Sequence, residues 1–174
     1  MHVKRSAIAI AFRAVAIGTA VDPAAAVELI TPREAALPNA VGAKLNLGLR
    51  GVTRGPKIVV MSPAPGAGQV RSPFNLLLRF ETHGGATVDP ATVRLTYLKQ
   101  PAINLTQRVG DWIRPDGIDV SDAEVPPGTH YLRVEIRDSA GRSGAAVFAV
   151  PVETEADPIS SLQSAAASRG RALP

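Results

Sequence analysis

The chain has 174 residues, a formal net charge of +4, and 15 glycines and 15 prolines but no cysteine. That length suits one domain with flanking tails, and the glycine and proline content suits a turn-rich chain of short strands. The missing cysteine excludes a disulfide framework and a thiolate zinc site. Scattered basic residues, with only seven aromatics among them, argue against a nucleic-acid surface.

Residues 1–26 read as an export signal. Lys4-Arg5 supply the positive start, Ala7 to Val21 an apolar stretch interrupted at Arg13, and Ala24-Ala25-Ala26 the small residues that signal peptidase accepts. Cleavage after Ala26 makes Val27 the mature N-terminus and predicts a periplasmic or secreted protein with no stable membrane insertion. Removing this segment leaves 16 basic and 14 acidic groups, so the mature charge is only about +2.

Residues 27–55 read as a short helix followed by a glycine-rich basic linker. Thr31-Pro32-Arg33-Glu34 forms a capping box: Thr31 accepts the Glu34 amide, Glu34 reaches back, and Pro32 suits the first helical position. Pro38 limits the helix to one or two turns. Such a segment either docks a partner or rests on the neighbouring domain as a cap. Leu45, Leu47 and Leu49 alternate as in a short edge strand among Lys44, Arg50 and Arg54.

From residue 56 to 152 the pattern is that of strands. Lys57 to Met61 is a β-prone run ended by Ser62-Pro63-Ala64-Pro65-Gly66. Phe74, Leu76, Leu78 and Phe80 alternate with polar or mixed neighbours, and Val93, Leu95 and Tyr97 do the same after Asp89-Pro90. Ile103, Leu105 and Val109 suggest another strand, with Trp112 and Ile113 covering an open end of the core. Ile118, Val120 and Val125 give a further one. The clearest alternation follows Pro127-Gly128: His130, Leu132, Val134 and Ile136 on an apolar face, Tyr131, Arg133, Glu135 and Arg137 on the other. A turn at Asp138-Ser139-Ala140-Gly141 leads to Ala146, Phe148 and Val150. About seven short antiparallel strands at hairpin spacing predict an all-β sandwich. Residues 153–174 carry too little apolar surface to order and are expected to be disordered or weakly helical.

Two stretches resemble bacterial immunoglobulin-like and fibronectin-like modules. Ser62-Pro63-x-Pro65-Gly66-x-Gly68-x-Val70-x-Ser72-Pro73-Phe74-x-Leu76-x-Leu78-Arg79-Phe80 is similar to their first two strands, including those of periplasmic copper-binding members. Pro126-Pro127-Gly128-Thr129-His130-x-Leu132-x-Val134, ending in Asp138-x-x-Gly141-Arg142, resembles their penultimate strand. The resemblance covers about residues 56–151 and implies an Ig-like or fibronectin III-like fold. A paired Cys and Trp signature is absent, so only the architecture carries over.

Chemistry-bearing residues are few. There is no nucleophile elbow, phosphate loop, zinc-protease helix or dinucleotide fingerprint. His83 and His130 are the histidines of the mature chain, and His130 falls on the apolar face of its strand, where a hydrogen-bonded corner histidine is the plain expectation. A Ser-His-Asp arrangement meets in space and leaves no trace in sequence. Asp116, Asp119, Asp122 and Glu124 lack the spacing of a calcium loop. The expectation is thus a non-enzymatic binding or scaffolding module whose partner is an envelope protein or glycan, with no catalytic, cofactor or metal residue assigned. The alternative that the resemblance raises is a copper carrier, with His83, His130 and Met61 as candidate ligands.

Overall fold

The computed structural model describes residues 26–42 and 55–153. Residues 1–25 of the export signal, the Leu45/Leu47/Leu49 alternation and the tail beyond Glu153 lie outside the described residues. The described chain is mostly strand: β1 (Val27–Glu28), β2 (Lys57–Ser62), β3 (Phe74–Glu81), β4 (Arg94–Tyr97), β5 (Ile103–Asn104), β6 (Ile113–Arg114), β7 (Gly117–Glu124), β8 (Gly128–Arg137) and β9 (Ser143–Val152). One helical turn, α1 (Pro32–Ala35), and two 3-10 segments, Pro90–Thr92 and Thr106–Trp112, complete it.

Two sheets share one core. The first has the order β1-β7-β3-β2, with β6 also on β7, and the second has the order β5-β4-β8-β9. Every pairing is antiparallel except that of β1 with β7. The alternation that marks each strand explains its burial. Leu76, Leu78 and Phe80 of β3 and Ile118 and Val120 of β7 meet Leu95 and Tyr97 of β4 and Leu132, Val134 and Ile136 of β8. Phe148, Val150 and Val152 of β9 close the layer.

Four local features depart from the sequence pattern, each for a physical reason. Only Ile103–Asn104 of the expected Ile103-to-Val109 strand is extended; Thr106–Trp112 is a 3-10 segment. Asn104 turns the chain by accepting the Thr106 amide through Oδ1 at 2.8 Å, and Leu105 and Val109 then reach the core at helical spacing, both fully buried. In β7, Asp122 adopts φ 54° where the β3–β7 register shifts. That bulge turns Ala123, not residue 122, inward. Tyr131, on the charged face by alternation, is buried, because its ladder neighbours are Leu98 and Ala149. Finally, nine strands are present among the described residues where about seven were expected, the additional β1 and β6 being two residues each.

Residues 27–30, grouped with the connector by sequence, continue β7's sheet. Val27 and Glu28 pair with Ala123 and Glu124, and Leu29 and Ile30 enter the core. Helix α1 has the predicted capping box: Thr31 N–H donates to Glu34 Oε2 at 2.9 Å and Glu34 N–H to Thr31 Oγ1 at 3.2 Å.

Candidate binding groove between two edge strands

His130 is buried with both ring nitrogens engaged. Its Nε2 lies 2.8 Å from the Pro126 carbonyl, which can only accept, so Nε2 carries the proton. Its Nδ1 therefore accepts from the Tyr97 hydroxyl at 2.7 Å. Burial holds His130 below its ordinary pKa, with the Lys99 charge adding to the effect against the Pro126 bond. Burial also raises Tyr97 to about 12, helped by the Glu34 charge. No lone pair of His130 is left for a metal. His83 is exposed in the loop after β3, with its carbonyl accepting from Arg142 at 3.1 Å. Met61 is half exposed on β2.

Asp116, Asp119, Asp122 and Glu124 are all exposed along β7 and its approach. Arg79 stands 3.7 Å from Asp116. Among the described residues no group of three or more His, Cys, Asp or Glu side chains is placed to hold a metal ion.

A second, partly buried polar cluster, which sequence reasoning missed, ties the N-terminal segment to the end of the sandwich. Arg108 donates to both carboxylate oxygens of Glu34, at 2.8 and 2.6 Å, and to the Leu29 carbonyl at 2.8 Å. These bonds hold Glu34 at about 2 against the opposing effect of burial, with Thr31 contributing. Lys99, itself buried, donates to the Ala35 and Leu37 carbonyls at 2.8 and 2.7 Å and lies 5.2 Å from the Tyr97 ring centroid. Burial lowers its pKa. The only sequence signal for this cluster was the capping box. The partners Lys99 and Arg108 are distant in the chain, and nothing in their local pattern marks them. With Glu34 held by both Arg108 and Thr31, and Lys99 by two backbone carbonyls, this cluster acts as a structural clasp.

Open space lies elsewhere, between β2 of one sheet and β9 of the other. The two strands touch at their starts, where a Cβ on Gly144 would strike the Pro56 carbonyl and one on Gly55 the Ser143 carbonyl. Only glycine permits that approach. Beyond this pinch the strands part into a groove of about 1110 Å³ that continues onto the outer face of the second sheet. Ile58, Val60, Ala146 and Phe148 supply an apolar floor, and Pro63, Pro65 and Gly66 close the far end. Arg94, Glu135, Arg137 and His83 stand on the outer side. No protein family, curated protein or solved structure matches this chain.

The backbone of β9 is the distinctive part of this groove. Val70 pairs with the outer side of β9, donating to the Pro151 carbonyl at 2.9 Å and accepting from the Glu153 amide at 2.8 Å. The Pro151 carbonyl and the Glu153 amide thus point away from β8. The β8–β9 register runs without a shift from residue 143 to 152, so Ala145, Val147 and Ala149 point the same way. Among the described residues no strand, bridge or loop bond meets them on that side. The sequence contained one clue: Gly144 to Val152 has no charged residue on either face, unlike β8.

Proposed function

We propose that this protein is an exported, non-enzymatic binding module of the cell envelope, built on a fibronectin III-like sandwich, that holds a protein partner in the β2/β9 groove. The finer fold assignment is supported by strand order. The three long strands β2-β3-β7 face β5-β4-β8-β9, an arrangement of three strands on four that suits this class. It is supported also by the corner before β8, where His130 binds the carbonyl of Pro126 four residues upstream. That bond stands where such sandwiches place a tyrosine corner at the start of the same strand.

The observation that carries the function is the groove with an apolar floor beside an open strand edge. The titratable groups favour binding over catalysis, since His130 is locked between Tyr97 and Pro126 and His83 is exposed. The export half rests on the pattern of residues 1–26. One experiment addresses both: a photoreactive amino acid at position 147, compared with one at position 33, in cells that are then fractionated. The expected result is a protein adduct from position 147 alone, in the exported fraction, on a chain beginning at Val27. Full-length protein confined to the cytoplasm would remove the export premise, and equal adducts from both positions would remove the groove.

A further inference from the structure

We infer that the β9 edge receives an extended polypeptide segment as an added strand, one with alternating apolar and acidic side chains. This deepens the binding-module function proposed above and rests on it.

Ala145, Val147 and Ala149 present three amides and three carbonyls in a straight row, from a strand whose ladder to β8 is unbroken. The row is bounded at one end by the Gly55–Ser143 and Pro56–Gly144 contacts and at the other by Val70 on Pro151. Five residues fit between, about 17 Å of extended chain.

Alternation of an added strand sends successive side chains to opposite sides. One set enters the gap between the sheets over Ile58 and Val60, both only partly covered, which calls for apolar groups. The other set lies over the outer face beside Ala145 and Val147. These short side chains leave the neighbouring guanidiniums of β8 and β4 in reach. Among the charges there, Lys57 is paired with Glu81 at 2.8 Å and Glu135 with Arg133 at 2.5 Å. Arg94 and Arg137 have no ion-pair partner among the described residues. Their uncompensated charge selects acidic groups on the incoming strand.

The probe is the five-residue peptide acetyl-Val-Glu-Val-Glu-Val-amide, titrated into the full chain and followed by amide NMR and hydrogen exchange. Its Lys-for-Glu counterpart and a version N-methylated at alternate residues are the comparisons. The Glu peptide should slow exchange at Ala145, Val147 and Ala149 and bind about tenfold or more tighter than the Lys peptide. The N-methylated peptide should lose binding with the protein unchanged. Val147→Pro removes an amide that faces outward, where an edge strand tolerates proline, and should weaken binding about tenfold. Arg94→Glu with Arg137→Glu should reverse the charge preference. Binding that survives N-methylation, or that protects β2 or β5 in place of β9, would overturn strand addition while leaving the binding module standing. Preference for the Lys peptide, or no binding of either, would overturn the inference, whereas the module itself stands or falls with the crosslink from position 147.

Discussion

Neutralising Glu34 should uncouple the N-terminal segment from the sandwich in a pH-dependent way. In the folded protein Glu34 sits at about 2 against an ordinary value of 4.5, chiefly because Arg108 donates to both its oxygens. The difference corresponds to about 3 kcal/mol at about 1.4 kcal/mol for each pH unit. The side chains of Arg108 and Glu34 keep 32% and 17% of their surface in solvent, so screening brings the expected contribution to about 1–2 kcal/mol. The sign follows from proton binding. Between pH 4.5 and about 2 the unfolded chain holds a proton on Glu34 that the folded chain does not. The contribution is therefore complete above pH 4.5 and lost as pH falls toward 2. Glu34→Gln should lower the unfolding free energy by about 1–2 kcal/mol at pH 7 and flatten its dependence across that window. Urea unfolding of both proteins at half-unit steps from pH 6 to 2 measures this. Parallel curves for the two proteins would refute the reasoning, because they would mean that Glu34 titrates alike in both states.

His130→Phe preserves ring volume but strands the buried Tyr97 hydroxyl and the Pro126 carbonyl; it should cost about 2–4 kcal/mol in chemical denaturation. Because burial keeps the folded His130 below its ordinary 6.5, the unfolded chain takes up its proton first. Wild-type stability should thus decline as pH drops below 6.5, and this part of the decline should vanish in the Phe variant. Gly144→Ala places a methyl group against the Pro56 carbonyl; thermal melting should show a loss of about 1–3 kcal/mol, because backbone must move apart.

Much of the sandwich was legible because its strands carry their burial in a period of two. From β3, β4 and β8 the buried set Leu76, Leu78, Phe80, Leu95, Tyr97, Leu132, Val134 and Ile136 can be read directly. Legibility failed where a single residue breaks the period. Asn104 starts a 3-10 segment through its side chain, and Asp122 inserts a bulge through a backbone conformation that its residue type merely tolerates. It failed also for contacts far apart in sequence, since Arg108 meets Glu34 across 74 positions and Lys99 meets Ala35 across 64. The groove was invisible for a related reason. Alternation says which way side chains point, but which strand ends a sheet is a property of topology.

That topology also separates the binding edge from the others. Each sheet has two margins, and three of the four carry features that discourage another strand from pairing. In the first sheet, β7 is covered by β1 and β6, and the edge strand β2 starts at Lys57, shifts register between Val60 and Ser62, and ends at Pro63. In the second sheet, β5 is only two residues long and follows Pro101 closely. Among the described edge strands, β9 alone runs ten residues in unbroken register, with neither charge nor proline between Ser143 and Val150. A lone sandwich with such an edge is prone to self-pairing unless the edge is occupied. The Gly55–Ser143 contact and the Val70 bridge shorten the open stretch to the residues between them. They limit uncontrolled pairing while leaving a slot long enough for one short strand.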